Sequence, residues 1–118
     1  MANHFLLSWN WESMTNAFHY RLTPDAQADL IEIRRYTLAQ WGAEQSKKYL
    51  CELRQIMSLL SETPRIGTQR SELGPETFSF PHSSHVIYYQ CLARQIIVFG
   101  VLNTSRLPMA HLEDRETI

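Results

Sequence analysis

Five side chains able to hold or move charge are spread along the second half of this sequence: Arg70, His85, Arg94, Arg106 and His111. A ribonuclease needs positive groups to hold a phosphate and to stabilise developing charge, with a His, Tyr or Glu close enough to move a proton. These five residues meet that requirement in type if they converge on one open face. His82 and His85 also form an HxxH pair, which on a helix would set two imidazoles beside one metal ion. Here the pair lies at a strand entry beside Ser83 and Ser84 with no third ligand nearby, so it reads as a turn followed by a strand-borne histidine. No metal is expected. Other signatures of chemistry are missing: there is no GxxxxGK[ST], GxGxxG, GxSxG or paired CxxC, which leaves phosphate loops, dinucleotide folds, nucleophile elbows and structural zinc unsupported. No cofactor is expected either.

Charge weakens the nuclease reading further. Eleven Lys and Arg stand against twelve Asp and Glu, so the folded chain has no general pull toward nucleic acid, and direct sequence-specific binding of DNA or RNA is not expected. Binding another macromolecule without catalysis is therefore the preferred function class. A third possibility is an inactive remnant kept as a regulatory module. The two cysteines, Cys51 and Cys91, have neither redox spacing nor the density of a secreted disulfide scaffold, which fits a reducing cytoplasm. The apolar run Phe5–Leu7 is too short for an export signal or a membrane span.

The elements that must position these residues are legible from periodicity. With 118 residues and 44% hydrophobic content the chain can build one domain with a real core. Residues 1–13 read as an N-terminal appendage, 14–112 as a single domain and 113–118 as a charged tail. Phe18 to Leu22 suits a short edge strand. Thr23, Pro24 and Asp25 then supply a cap, a first-turn proline and a dipole-compatible charge, so a helix starts there. Ala26, Leu30, Ile33, Thr37 and Trp41 follow one buried face, and Gly42 stops the helix. A second helix is expected from about Glu44 to Glu62, with Tyr49, Leu53, Ile56 and Leu60 as its stripe, ending at Thr63-Pro64. So short a link makes the two helices an antiparallel hairpin.

Pro64 to Pro75 has no periodicity and reads as a surface loop. Beyond it Phe78 and Phe80 alternate with Thr77 and Ser79, and His85 to Cys91 and Gln95 to Leu102 are rich in β-branched and aromatic residues. The expected fold is α+β in two layers: an N-terminal strand, a helical hairpin, then a three-stranded antiparallel meander.

Binding candidates follow from residues off the helical stripe. Ile31, Tyr36 and Leu38 lie outside the buried face of the first helix, which marks a contact surface. Tyr36, Leu38 and Tyr49 are the expected apolar anchors, with Arg34, Arg35, Lys47 and Lys48 offering charge at the rim to an acidic partner. The free edge of the first strand can accept an extended segment of that partner.

Several stretches also resemble a known family. Tyr20-Arg21-Leu22-Thr23-Pro24-Asp25-Ala26-Gln27-Ala28-Asp29-Leu30, Tyr36-Thr37, Gln40-Trp41-Gly42, Thr63-Pro64-Arg65-Ile66-Gly67 and Phe80-Pro81-His82-Ser83-Ser84-His85-Val86-Ile87-Tyr88-Tyr89 are together similar to the ParE toxins of the RelE/ParE superfamily, over about residues 18–112. The resemblance implies a toxin of a type II toxin–antitoxin operon, held by a small acidic antitoxin and acting on DNA gyrase. RelE relatives instead cut messenger RNA on the ribosome with basic residues and a terminal Tyr or His; no Tyr follows Tyr89 here, which favours the ParE side. Where ParE sequences usually read His-x-Arg-x-Asp-Pro, this chain has Asn103-Thr104-Ser105-Arg106-Leu107-Pro108, so Arg106 is displaced by one residue from the family's arginine. On this reading Arg94, Arg106 and His111 contact the target, through the segment Asn103 to Leu112.

Overall fold

A computed structural model describes residues 20–115, so the expected appendage at 1–13 lies outside the described residues. Strand β1 (Tyr20–Leu22) leads into helix α1 (Pro24–Trp41). The start of α1 is fixed as its residue types require: the Thr23 hydroxyl accepts from the Ala26 N–H at 3.1 Å, and Pro24 occupies the first turn, where a missing N–H costs nothing. Gly42 adopts φ +91°, a backbone region other residues avoid, and reverses the chain in a single step. Helix α2 (Ala43–Glu62) begins at once. Inside the resulting hairpin the Thr37 hydroxyl donates to the Ile33 carbonyl at 2.8 Å, which leaves it to accept from the Ser46 hydroxyl at 2.6 Å. Both residues are buried, and this mutual satisfaction is what allows two hydroxyls there.

The expected meander is present as β3 (Thr77–His82), β4 (His85–Cys91) and β5 (Ile96–Asn103), and a short helix α3 (Pro108–Leu112) follows it. The segment from Pro64 to Pro75 is more ordered than a plain loop: two 3-10 turns, Pro64–Ile66 and Ser71–Leu73, flank a two-residue strand β2 (Thr68–Gln69) paired with β3. Two exposed residues are too few to show an alternation in sequence. The sheet order is β1-β5-β4-β3-β2, and β1 pairs with β5 in parallel while every other pair is antiparallel. The first strand thus lies at an edge, beside the last.

Both helices pack on one face. Leu30 and Ile33 of α1, and Leu50, Leu53, Met57 and Leu60 of α2, bury against Phe78, Ile87, Tyr89, Ile96, Val98 and Val101 of the sheet. Trp41 departs from the buried stripe expected for it and is 47% exposed. The chain turns at Gly42, Tyr49 of α2 takes the place over the core, and Trp41 packs edge-on against that ring at 5.6 Å. The opposite face of the sheet carries a smaller cluster of Tyr88, Phe99, Leu102 and Leu112.

A bulge reconciles the two faces along β5. Tyr88 faces Gly100 while Tyr89 faces Val98, so Phe99 is an extra residue and the alternation is reset. Val101 can therefore point into the main core although Val98, three residues earlier, also does.

Candidate functional site

Strand β1 ends at Leu22, opposite Val98, so among the described residues β5 beyond that point has no strand neighbour on that side. Helix α1 crosses there instead. The Asp29 carboxylate accepts the Val101 N–H at 2.9 Å and closes an otherwise open ladder position. Between α1 and the end of β5 the chain leaves a cleft of about 590 Å³. Ile33, Tyr36 and Ala39 form one wall, Val101, Leu102 and Asn103 the other, with His85, Ser105 and Arg106 at one end. Its charged rim is mixed: Asp29, Glu32 and Arg35 from the helix, Arg106 from the loop after β5. Glu32 and Arg35 pair with each other at 2.6 Å on the solvent side.

The histidine of this cleft has a defined state. Burial, and next the charge of neighbouring His82, push the His85 imidazole below its ordinary pKa of 6.5, with Asp29 pulling the other way. The ring is neutral near pH 7. Its Nδ1 meets the Tyr49 hydroxyl at 2.7 Å, closer than the 3.3 Å from that hydroxyl to the His82 carbonyl. The hydroxyl that donates to the His82 carbonyl and meets Nδ1 holds the imidazole ring in a fixed orientation. Burial raises the Tyr49 pKa, so the phenol keeps its proton.

The structure brings some candidate residues together and separates others. Arg35, Tyr36, His85 and Arg106 share the cleft, and Tyr36 is 59% exposed. Leu38 is half-buried and Lys48 exposed. Tyr49 is buried under Trp41 and bonded to His85, so its role as a surface anchor is corrected: it supports the cleft from beneath. Arg94 sits in the β4–β5 turn, at the opposite end of β5 from Asn103 and Arg106. Eight residues of strand separate the two ends by roughly 20 Å or more. Arg70 bonds Glu72 at 2.7 Å and Ser79 at 3.2 Å and lies over the Tyr88 ring. His111 is exposed on α3. The five charged candidates for phosphate chemistry therefore do not form one site.

The HxxH pair is also used internally: His82 bonds Glu52 at 3.0 Å while His85 bonds Tyr49. Among the described residues no group of three His, Cys, Asp or Glu could hold a metal ion, and no helix is long and apolar enough to cross a membrane. Sequence reasoning gives no role to Asp29 or Arg115. For Arg115 the signal is Gly100, since a glycine inside an apolar strand marks a close approach by another group.

Comparison with solved structures places this architecture in a known class. A chain from the chromosomal ParDE TA system of P. aeruginosa superposes with a TM-score of 0.60 at 16% identity, covering 71% of this chain and 92% of that one, which shows a shared fold. The sequence goes further. The family model for the ParE toxin of type II toxin-antitoxin systems matches residues 20–108. Toxin ParE1 of Caulobacter vibrioides is 33% identical over 93 residues, 79% of this chain and 96% of that protein. Toxin ParE of Escherichia coli is 33% identical over 99 residues, 81% and 94% of the two chains. Toxin ParE1 of Mycobacterium tuberculosis is 37% identical over 71 residues, 60% and 72%. The chain belongs to the ParE toxin family of type II toxin–antitoxin systems.

Proposed function

We propose that this toxin arrests growth in the cytoplasm by binding DNA gyrase, through the segment from Asn103 to Leu112, and that it is held inactive by a small acidic antitoxin lodged along the α1–β5 cleft. The observation that carries the proposal is the division of labour around Arg106. Behind it lies a cleft with apolar walls, an exposed Tyr36 and the neutral imidazole of His85. After it comes an exposed run that includes Leu107 (73% exposed) and Met109. An extended peptide with an apolar side chain for the walls and a carboxylate for Arg106 suits the cleft; a phosphodiester does not, because Asp29 and Glu32 line it too.

The test is a supercoiling and DNA-cleavage assay of gyrase with the purified toxin. Inhibited supercoiling, relieved by adding the antitoxin, is the expected result. No effect on either gyrase activity, with growth arrest retained in cells, overturns the target and leaves the family membership standing. A second reading, ribosome-dependent cleavage of messenger RNA, draws on His85 and Arg106 sharing one cleft. It predicts message cleavage in a translation extract that Arg106→Ala or His111→Ala abolishes. Against it stands the dispersal of the other cations.

A further inference from the structure

The run of residues that follows β5 is tied to the body at both of its ends, and its far tie is an ion pair that spans the chain. At the near end the Thr104 N–H donates to the Ser84 carbonyl at 2.8 Å. At the far end Leu112 is buried in the small outer cluster, and the Arg115 guanidinium reaches Asp29 of α1 through two bonds, Nη1 to Oδ2 at 2.6 Å and Nη2 to Oδ1 at 3.1 Å. Nη1 also donates to the Phe99 carbonyl, at 3.1 Å. That carbonyl belongs to the bulge residue, so the one guanidinium satisfies both the irregular strand and the helix that crosses it. Both side chains are largely shielded, at 18% and 14% exposure. A two-pronged pair in such a place is more rigid than a surface ion pair.

Gly100 makes this seat possible. A Cβ there would stand 2.7 Å from Leu112 Cδ2 and 3.3 Å from Arg115 Nη1. The strand is bare where the returning segment lies on it.

We infer that Arg115 and Asp29 are positioning residues for the target-binding segment: their pair staples its far end to the α1–β5 seam, so that Arg106, Leu107 and Met109 stand on an arch of fixed shape. This rests on the reading that the segment engages the target. An arch free at one end pays an ordering cost on every encounter, whereas a stapled one has already paid it. Asp29 keeps its bond to the Val101 N–H whether or not Arg115 is present, so losing the pair frees the segment without opening the core.

The test compares Arg115→Ala, Asp29→Asn and the double variant in the full chain, by hydrogen exchange, antitoxin affinity and potency in growth arrest. Asn at 29 retains an oxygen for Val101 and lacks the charge for Arg115. The amides of Arg106 and Ala110, both hydrogen-bonded within the segment, should exchange about tenfold faster in each variant while those of α2 stay unchanged. Potency should fall about tenfold in each single variant and no further in the double, with antitoxin affinity held within about threefold in Arg115→Ala, whose side chain lies outside the cleft lining. Unchanged exchange at Arg106 and Ala110 overturns the staple, and it is read on the toxin alone, whatever its target. Faster exchange with undiminished potency overturns the positioning role. Additive losses in the double variant show that the two residues act separately and overturn the pair.

Discussion

The two faces of the sheet are held in different ways. On the inner face two long helices press a continuous apolar cluster against every full-length strand. On the outer face a small buried cluster with Leu73 and Val86 at its margin, a returning segment and the guanidinium groups of Arg70 and Arg115 complete the cover. The inner face is redundant: many side chains share the burial, and each is placed by a helical or strand repeat close to it in sequence. The outer face depends on a few contacts between distant positions. Specifying a fold and shaping the segment proposed to bind the target are thus tasks given to different kinds of interaction, one plural and local, the other sparse and long-range.

The sharpest way to break the contrast is to empty a position on each face. Leu53, fully buried under α2, should cost about 3 kcal/mol or more as Leu53→Ala in denaturant unfolding, because the removed atoms leave a cavity in a packed core. Leu112→Ala should cost less, about 2 kcal/mol, since the outer cluster is small enough to collapse. Equal losses would mean that the outer segment is as integral to folding as the helices.

At the seam between the faces the expected effect moves from stability to binding. Tyr36→Ala should weaken antitoxin binding by on the order of 2 kcal/mol, whereas Lys48→Ala, a rim charge, should mainly slow association. Calorimetry, with circular dichroism to confirm folding, measures both. Similar small losses for the two would put the antitoxin path elsewhere on the hairpin.

The smallest expected effect concerns His85 and pH. Burial holds its folded pKa below 6.5, so between that lowered value and 6.5 the unfolded chain binds more protons than the folded one. Its contribution is intact above 6.5 and is lost as the pH falls through the folded value. Tm should therefore drop from about pH 7 to about pH 5, and His85→Asn should flatten that part of the slope. An unaltered slope would show that other groups govern the acid limb.

Legibility in the sequence follows the same division. Thr23, Pro24, Gly42 and Thr63 punctuate both helices as their chemistry demands, and β4 coincides with the expected His85 to Cys91. Local rules suffice there, because the partner of each signal lies within a few residues. Trp41 was misplaced by those rules, since periodicity continues a stripe without regard to where the next helix begins. Tyr49 was placed both in the stripe of α2 and among the surface anchors, and only its bond to His85 shows which reading holds. The cleft itself was half legible. Tyr36 and Arg106 stood out by type, but their meeting depends on β5 running past the end of β1, and Asp29 meets Val101 and Arg115 across most of the chain. No window along a sequence contains such a contact.

The parallel pairing of the first strand with the last carries a consequence for how the cell makes this protein. Tyr20 cannot find Ile96 until the ribosome has released the end of the domain, and the helical hairpin, complete at Glu62, emerges first. At a synthesis rate of about 5–20 residues per second the delay is roughly 2–7 s. During that interval the sheet beneath the hairpin is incomplete, and the cleft, one wall of which is β5, does not exist. On the proposed reading, a nascent chain has no cleft until its last strand is out, and an inhibitor shaped to the cleft recognises only a finished molecule.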